Sequence, residues 1–452
     1  MIDTRDIRDR ILLLALKGEL VEQNPKDTPA IDLIDEVCRK MAGRAFKPDF
    51  SVDEVPYDLP SSWSWCRLSD IGSTNIGLTY HPEDVIENGV IVARSSNIVN
   101  GKMDYSDLVR VSCNIRENQY LNNNDILICA RNGSKALVGK CAIYEGDSKT
   151  IAFGAFMAVF RTPLFRYVYY YLNTDVFKRN FISDDSKQIN QVTQNILKKS
   201  LIPIPPLEEQ KRIVESIEAI FKILDKIDAL QNRYASNQEA LKNKLIDAAI
   251  QGKLTEQLPE DGTAEELFEQ IQNETQILSK EGRFKKKKAL PDLTDADYPF
   301  EIPETWKWVH LGDVLSIESG KGLTAAEMIP GDIPVYGGNG ITGYHDNGFV
   351  PAGTVVIGRV GYYCGSVHVT KSESWVTDNA FITTYPEHCI DKRFLVYVLR
   401  KMKLGQNNNG SAQPVVSGKK IYPLAFPLPP LAEQKRIADI FKTVIPMCEN
   451  TK

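Results

Sequence analysis

The chain has 452 residues, of which 42% are hydrophobic and 25% charged, and its formal net charge is −5. This length can bury more than one hydrophobic core, so we expect two to four globular units. No run of about 18 uncharged apolar residues occurs, and the first ten residues are charged, which argues against a membrane span and against a signal peptide. The eight cysteines form no CxxC pair, which predicts reduced thiols in a cytoplasmic protein.

The negative charge is unevenly distributed along the chain. Positions 61–201 carry 16 basic and 13 acidic residues, and positions 302–430 carry 11 and 10. The acidic excess therefore belongs to the remaining segments. The overall charge does not exclude a nucleic-acid partner for these two stretches.

The N-terminal stretch recurs later in the chain. LALKGELVEQNPKD at 14–27 returns as AAIQGKLTEQLPED at 248–261, and LPSSWSWCRLSDI at 59–71 returns as IPETWKWVHLGDV at 302–314. PPLEEQKRI at 205–213 then returns as PPLAEQKRI at 429–437. Three matched runs in the same order predict two homologous halves.

These repeats divide the chain into predicted segments. We expect an N-terminal helical segment (1–43), a first globular domain with its lead-in (44–205), a central spacer helix (206–254), a helical, charged linker (255–301), a second globular domain (302–429) and a C-terminal spacer helix (430–452). Both globular segments contain short β-rich runs separated by Gly, Asn, Asp and Ser turns, followed by amphipathic helical patterns at 165–180 and 391–404. This pattern predicts an α/β (α+β) fold with a mostly antiparallel or mixed sheet in each domain.

The central spacer begins at a Pro-Pro pair, since proline fixes φ and lacks the N–H that a first helical turn cannot use. Apolar residues then follow on steps of four and three: Ile213, Ile217, Ile220, Leu224, Ile227, Tyr234, Leu241 and Leu245. This heptad seam ends near Gly252, a predicted C-cap. About 45 residues at about 1.5 Å each predict a rod on the order of 65 Å. That length favours a coiled coil over a single helix packed on its own domain.

The second spacer helix is cut short by the end of the chain. Its seam residues are Ile437, Phe441, Val444 and Cys448. The repeat offsets place the first twenty residues in the missing part, where Ile7, Ile11 and Leu14 continue the seam. We therefore expect the two chain ends to meet, which gives a pseudo-twofold circular arrangement, a ring that is cut open inside one of its two long helices.

No catalytic or cofactor motif accompanies these features. The sequence lacks an N-P-P-Y/F or D-P-P-Y/F adenine-methyltransferase motif, a glycine-rich S-adenosylmethionine loop and a GxxxxGK[ST] phosphate loop, and its histidines have no metal-ligand spacing. GRVGYYCG at 358–365 is interpreted as a turn-rich hairpin. We expect a non-catalytic chain without a cofactor or a metal.

Polar loops that follow apolar strands supply candidate DNA contacts, because paired donors and acceptors read base edges while basic and hydroxyl groups bind phosphates. In the first domain the candidates are Arg94, Asn97, Arg131, Asn132, Lys135, Lys187, Gln188 and Gln191. In the second domain they are Tyr336, Asn339, Tyr344, His345, Arg359, Asn379, Asn408, Ser411 and Gln413, with Tyr362 and Asp378 as further candidates.

Three alternative interpretations remain open. Asn132 and Gly133 also suit a simple hairpin turn. The glycine-rich run PVYGGNGITGYHDNG at 334–348 allows close backbone approach to a ligand but also suits a structural turn. The run KKKK at 285–288 is either a solvated charge run or a phosphate contact.

Two globular domains, each entered through P-x-x-W-x-W and left through P-P-L-x-E-Q-K-R-I into a long helix, resemble the DNA specificity subunit of type I restriction-modification systems. The resemblance covers essentially the whole chain. It implies two target-recognition domains that each read one half of a bipartite, asymmetric site in double-stranded DNA. It also implies two antiparallel spacer helices and assembly with two methyltransferase subunits and with motor-nuclease subunits, which supply the catalysis. The short C-terminal helix departs from this pattern, and completion by the N-terminal residues would explain it.

Two other classes of protein are weighed against this resemblance. A stand-alone DNA-binding or regulatory protein would use the same loops but would not need a pair of long acidic helices with an outer face for partners. A single-chain restriction enzyme would need catalytic motifs of its own. Because the two domains differ outside the framing motifs, we expect them to read different half-sites.

Overall fold

The computed structural model describes residues 1–181, 191–285, 290–402, 404–405 and 415–449. The chain divides into two compact units, Met1–Gln231 (unit 1) and Asn232–Lys452 (unit 2). No helix within these described ranges is long and apolar enough to cross a bilayer. The seven cysteines whose side chains are described are all free thiols.

Unit 1 combines short helices with many short strands. Its helices are α1 (Thr4–Lys17), α2 (Ala30–Ala42), α3 (Leu68–Ile71), α4 (Phe165–Leu172), α5 (Asp175–Lys178) and α6 (Gln194–Lys199). Its strands are β1 (Ser64–Arg67), β2 (Ser73–Ile76), β3 (Val85–Ala93), β4 (Ile98–Val99), β5 (Lys102–Met103), β6 (Val109–Val111), β7 (Ile126–Cys129), β8 (Cys141–Ile143), β9 (Ile151–Phe153), β10 (Met157–Arg161) and β11 (Leu201–Ile204).

Two sheets form the body of unit 1. β2, β10, β7 and β8 lie in that order in an antiparallel sheet. β6, β3 and β9 form a second sheet in which β3 and β9 are parallel. β1 pairs with β11, so the entry into the domain lies beside its exit.

β7 is apolar at every position, and its burial on both faces explains why. All four of its residues are fully buried. Ile126 and Ile128 belong to one hydrophobic core, while Leu127 and Cys129 belong to another on the opposite face. Because side chains alternate across a strand, a strand with both faces covered needs apolar residues at every position.

The long helix α7 (Leu207–Ile250) has 44 residues and belongs to unit 1 at its start and to unit 2 at its end. At its start, the Gln210 side chain donates to the Pro205 carbonyl at 2.9 Å. At its end, Gly252 has φ +68° and its N–H donates to the Ala249 carbonyl. The left-handed glycine confirms the predicted C-cap.

α1 runs antiparallel to the part of α7 that lies in unit 1. Thr4 Oγ1 donates to Asp228 Oδ1 at 2.6 Å, and the Arg8 guanidinium pairs with both Asp225 and Asp228 at 2.9 and 2.8 Å. Arg8 also lies over the Phe221 ring at 5.2 Å. The predicted antiparallel packing of the N-terminal segment on the spacer is confirmed within this unit.

The heptad seam residues of α7 differ in how far they are buried. Ile213, Ile217 and Leu224 are buried, whereas Tyr234 and Leu241 are 50% and 48% exposed. On α1 the prediction for Leu14 was wrong, since this side chain is 36% exposed while the buried positions are Thr4, Leu12, Ala15 and Leu16. The last turn of α1 packs into the core of the unit as well as on α7, which shifts its buried face.

Unit 2 repeats the same kinds of elements. Its helices are α8 (Ala264–Lys280), α9 (Leu311–Val314), α10 (Lys392–Lys401), α11 (Gly418–Ile421) and α12 (Leu431–Glu449). Its strands are β12 (Lys307–His310), β13 (Ser316–Ser319), β14 (Ile333–Gly337), β15 (Gly340–His345), β16 (Val355–Gly358), β17 (Val367–Val369), β18 (Trp375–Val376), β19 (Ala380–Thr384) and β20 (Ala425–Leu428).

The sheets of unit 2 have the topology of unit 1. β13, β19, β16 and β17 form the antiparallel sheet, and β15, β14 and β18 form the second sheet with β14 and β18 parallel. β12 pairs with β20, as β1 pairs with β11. The predicted homologous halves and mixed sheets are confirmed. The expected meeting of the chain ends stays a prediction, and positions 450–452 lie outside the described residues.

In unit 1 the three repeated sequence runs meet at the start of α7. Glu209 is fully buried, and its carboxylate accepts hydrogen bonds from Trp63 Nε1 at 3.0 Å and from Gln23 Nε2 at 2.6 Å. Arg212 pairs with the buried Asp27 carboxylate at 2.6 Å. We call these five residues the clasp of unit 1. Burial raises the pKa of the Glu209 carboxyl.

Unit 2 contains the same arrangement, formed by the second copy of each run. Glu433 is fully buried and accepts hydrogen bonds from Trp306 Nε1 and Gln257 Nε2, both at 2.8 Å. Arg436 Nη1 donates to Asp261 Oδ1 at 2.9 Å, and this hydrogen bond lowers the pKa of the Asp261 carboxyl. The motif P-P-L-x-E-Q-K-R-I therefore fixes the start of each spacer helix against its own domain.

Candidate nucleic-acid interface

Three loops lie together at one edge of each unit. β7 and β10 are antiparallel neighbours, so the end of β7 and the start of β10 share an edge, and Gly154 N–H joins the end of β3 there by donating to the Ala93 carbonyl. In unit 2, Thr377 N–H donates to the Tyr336 carbonyl at the corresponding place. We call residues 94–97, 130–137 and 154–156 the loop edge of unit 1, and residues 337–340, 359–366 and 377–379 the loop edge of unit 2.

Asn132 ties two loops of unit 1 together. Its Nδ2 donates to Ser95 Oγ at 2.9 Å, and its Oδ1 accepts from the Ser134 N–H at 2.9 Å. The second contact is the Asx turn that asparagine favours in tight loops. The side chain thus supports the turn interpretation that the sequence left open.

Arg131 is the exposed cation at the centre of this edge. Its guanidinium lies 5.8 Å from the centroid of the Phe156 ring, which is itself 63% exposed. Within the described ranges no carboxylate forms an ion pair with Arg131 or with the exposed Lys135. Both side chains are available to an anionic or acceptor-rich partner.

Arg94 and Asn97 have other roles. Arg94 is paired with Asp107 at 2.7 Å. Asn97 is 1% exposed, its Oδ1 accepts from the Arg94 N–H, and its Nδ2 donates to the carbonyls of Asp104 and Asp107 at 3.0 and 2.7 Å. Both ends of the amide are engaged in a buried site, so Asn97 holds this loop in place, and its amide has no free group to offer DNA in this arrangement.

Replacing Asn97 with alanine should lower the free energy of unfolding of unit 1 by about 2 kcal/mol, because it leaves buried backbone groups without partners. Chemical denaturation of the full chain measures this change. The matched control is Asn123→Ala, since Asn123 is exposed. An unchanged stability combined with a changed DNA sequence preference would contradict this structural role.

The predicted contacts in the polar loops before the spacer helices lie at or beyond the limits of the described residues. Gln191 is exposed beside the described end of its loop. The remaining predictions in the polar loops before the spacer helices lie outside the described residues, namely Lys187, Gln188, Asn408, Ser411 and Gln413. Positions 286–289, with most of the KKKK run, also lie outside them.

The loop edge of unit 2 forms a shallow depression of about 260 Å³. Its lining residues are Gly338, Asn339, Val360, Gly361, Tyr362, Tyr363 and Asn379. Tyr362 and Tyr363 are 87% and 57% exposed and pack edge to face, with ring centroids 5.0 Å apart. Asn339 and Asn379 are exposed, and within the described part of the chain neither side-chain amide makes a hydrogen bond.

Arg359 lies beside this depression but is held by the protein. Its Nη1 donates to Ser319 Oγ at 3.1 Å and to the Asp378 carbonyl at 3.3 Å, and its guanidinium lies 5.5 Å from the Phe381 ring centroid. These contacts connect three segments. Arg359 is half-buried, and its guanidinium holds these segments together instead of projecting into solvent.

The structure does not bring Tyr336, Tyr344 and His345 to the surface of this edge. Tyr336 and His345 are 4% and 7% exposed, and His345 Nδ1 accepts from the Ile329 N–H at 3.0 Å. Tyr344 is 56% exposed but lies with His345 at the far end of β15, away from the turn at Gly337 and Gly340. Tyr336 and His345 are buried inside the unit, and this burial argues against the prediction that they contact DNA.

The glycines in this region serve internal packing. A Cβ at Gly338 would collide with the Val360 carbonyl, and a Cβ at Gly358 would collide with the Gly338 carbonyl. The backbones of two loops therefore approach each other at distances that only glycine allows. The sequence suggested close approach to a ligand, whereas the described contact is between protein loops.

Sequence reasoning missed two exposed aromatic residues at the loop edges. Phe156 lies in the run IAFGAFMAVF, which reads as continuous strand, although Gly154 marks a turn inside it. Tyr363 follows the proposed Tyr362 directly. Glycine next to an aromatic residue inside an apolar run was the signal that could have identified Phe156.

Two homologous mixed-sheet domains, each with an exposed loop edge and a clasped spacer helix, define a repeated recognition scaffold. Among the described residues no group of three or more His, Cys, Asp and Glu side chains could hold a metal ion. The chain belongs to the type I restriction modification DNA specificity family, since the model of that domain matches residues 60–234 and 303–452.

Individual relatives agree with this assignment. The EcoAI specificity subunit of Escherichia coli is 25% identical over 379 residues, which cover 70% of this chain and 63% of that protein. The chain therefore aligns with less than two thirds of that relative. The EcoKI specificity subunit of Escherichia coli K12 is 33% identical over 210 residues, or 44% of each chain. A putative MjaX specificity subunit of Methanocaldococcus jannaschii is 25% identical over 426 residues, or 87% and 89%.

A solved structure has the same fold. That structure concerns the complex assembly and conformational transition of the type I R-M system, and its chain is 18% identical to this one. The superposition gives a TM-score of 0.61 and covers 88% of this chain and 94% of the other.

Proposed function

We propose that the chain is the non-catalytic DNA specificity subunit of a type I restriction-modification system. In this proposal each loop edge reads one half of a bipartite, asymmetric site in double-stranded DNA. The single observation that carries it is that one topology presents two chemically different loop edges. A protein that reads two different half-sites needs this combination of shared framework and different contact residues.

The difference between the edges can be assigned position by position. Phe156 directly precedes β10, and its carbonyl accepts a hydrogen bond from the N–H of Ala130, the residue after β7. In the same way Asn379 directly precedes β19, and its carbonyl accepts from the N–H of Arg359, the residue after β16. Phe156 therefore corresponds to Asn379. The next residue along the loop is Arg131 in unit 1 and Val360 in unit 2. Unit 1 thus presents a cation and an aromatic ring where unit 2 presents an aliphatic residue and an amide.

Charge supports DNA as the ligand of both edges. Each globular stretch carries a small positive net charge although the whole chain is acidic. Arg131 and Lys135, which have no ion pair among the described residues, suit phosphate oxygens and the two acceptors of guanine in the major groove.

The spacer helix supports a scaffolding role. Ile223 and Leu230, which lie seven residues apart on the part of α7 that belongs to unit 1, are 58% and 63% exposed. An exposed apolar stripe of this kind is typical of a surface for partner helices. We propose that two methyltransferase subunits, and for cleavage motor-nuclease subunits, assemble on the chain in the cytoplasm.

Mapping of N6-methyladenine in a host that expresses the chain with its methyltransferase subunit tests this function. The expected result is one bipartite motif with two different halves. Arg131→Ala should change the base requirement in one half and leave the other intact, with a loss of about tenfold in preference at the affected position. The matched control is Lys149→Ala, an exposed lysine outside the loop edge.

The result also separates the rival function. A stand-alone regulatory protein would bind DNA but would not co-purify with a methyltransferase subunit and would leave no methylated motif. Methylation without any sequence motif, or a change in both halves on Arg131→Ala, would contradict the proposed division of labour between the units.

A further inference from the structure

The depression at the loop edge of unit 2 is lined by two exposed carboxamides. Asn339 and Asn379 come from two different loops and line the same depression. Both are exposed, and within the described residues neither amide is engaged in a hydrogen bond. Each therefore offers one donor and one acceptor to a ligand.

The other amides and cations of the loop edges do not match this pair. Asn97 and Asn132 use both ends of their amides inside unit 1. The loop edge of unit 2 contains one basic residue, Arg359, whose guanidinium donates to Ser319 and to the Asp378 carbonyl. The loop edge also carries the exposed Asp378 carboxylate, while the depression itself is lined by two carboxamides and two tyrosines and by no cation. Unit 1 instead offers Arg131 and Lys135, for which no ion pair is found among the described residues.

We propose that this depression is a base-reading subsite specific for adenine in an A·T pair, an inference that rests on the proposed function. Adenine presents an acceptor, N7, and a donor, the N6 amino group, in the major groove. A carboxamide satisfies both at once, with Nδ2–H donating to N7 and Oδ1 accepting from N6. Guanine presents two acceptors at the same positions, so an asparagine amide can satisfy only one of them.

The exposed tyrosines complete the subsite. Tyr362 and Tyr363 line the depression and pack edge to face, so two aromatic rings lie beside the two amides and can contact the thymine methyl group of an A·T pair. Apolar contact with this methyl group adds to discrimination against G·C pairs. The subsite thus combines amide recognition of the purine with an apolar rim.

The first test selects bound sequences from duplexes in which both half-sites are randomised, using the full chain in complex with its methyltransferase subunit. The double variant Asn339→Ala, Asn379→Ala should lose about tenfold of its preference for one or two A·T pairs in a single half-site. The other half-site should be unchanged. Asn347→Ala is the matched control, since Asn347 is exposed and follows the far end of β15.

The second test replaces a required adenine, other than the methylated one, with 7-deazaadenine, which pairs normally but lacks the N7 acceptor. This replacement should weaken binding of the wild-type complex about tenfold and have no further effect on the double variant. Such a loss of sensitivity is a readout that a merely structural role of the asparagines would not produce.

The outcomes distinguish the inference from the function on which it rests. A wild-type complex that selects no sequence would overturn the proposed function itself. If the wild type selects a bipartite site, the adenine inference is overturned by a variant with an unaltered motif, by a loss confined to G·C pairs, or by equal weakening on all sequences, which would place the amides on phosphates.

Discussion

Replacing Glu209 with alanine should lower the free energy of unfolding of unit 1 by about 2 to 3 kcal/mol. The substitution removes the acceptor for two donors, Trp63 Nε1 and Gln23 Nε2, and the carboxylate site is fully buried. A buried donor without a partner costs about 1 to 3 kcal/mol, and this cost falls on Trp63, since Gln23 is exposed and also donates to the Gly18 carbonyl. Chemical denaturation of the full chain, followed by tryptophan fluorescence, measures the change through Trp63 and Trp65.

Glu208 provides the matched control for this prediction. It is the same residue type in the same first turn of α7, but its side chain is exposed. Glu208→Ala should therefore change the stability by no more than about 0.5 kcal/mol. Equal effects of the two substitutions would show that the charge at the helix start, and not the clasp, is the source of the stability.

Lengthening the spacer should change the gap between the two half-sites. We expect that duplicating residues 231–237 within α7, with a matching heptad placed before Thr4, adds about 10 Å to the helical spacer. The methylated motif should then gain about three base pairs between its halves, since duplex DNA rises about 34 Å per turn. Methylation at the original spacing should fall at least tenfold.

A heptad keeps the helix nearly in phase, which makes this experiment specific to length. The control is Ser236→Ala, an exposed position within the duplicated stretch where length and phase are unchanged. A lengthened variant that still methylates the original motif would contradict the proposal that the spacer sets the gap.

The framework of the fold was predictable because its signals are local or repeated. Pro205 and Gly252 delimit α7 through backbone properties of proline and glycine, which act whatever the surrounding structure. The paired tryptophan and glutamate motifs indicated two halves before any contact was known. The exposure of Leu14 was not predictable, since the buried face of α1 depends on what packs beside α7 and not on heptad spacing alone.

The candidate site was less predictable because the availability of a side chain depends on long-range contacts. Asn97 and Asn379 are the same residue type in similar polar loops. Asn97 meets two carbonyls several residues away and is buried, while Asn379 lies exposed in a depression formed by three loops. Sequence alone does not reveal which donors and acceptors the protein itself consumes.

The sequence by itself therefore determined the duplicated architecture, the start and end of the long helix and the family, because these follow from repeats and from intrinsic backbone preferences. Only the tertiary structure decided that Glu209 accepts a hydrogen bond from Trp63, that Gly338 and Gly358 let two protein loops approach closely, and that the amides of Asn339 and Asn379 make no hydrogen bond within the described residues. The physical reason is that hydrogen-bond satisfaction and exposure arise from contacts between distant segments, which local patterns do not encode.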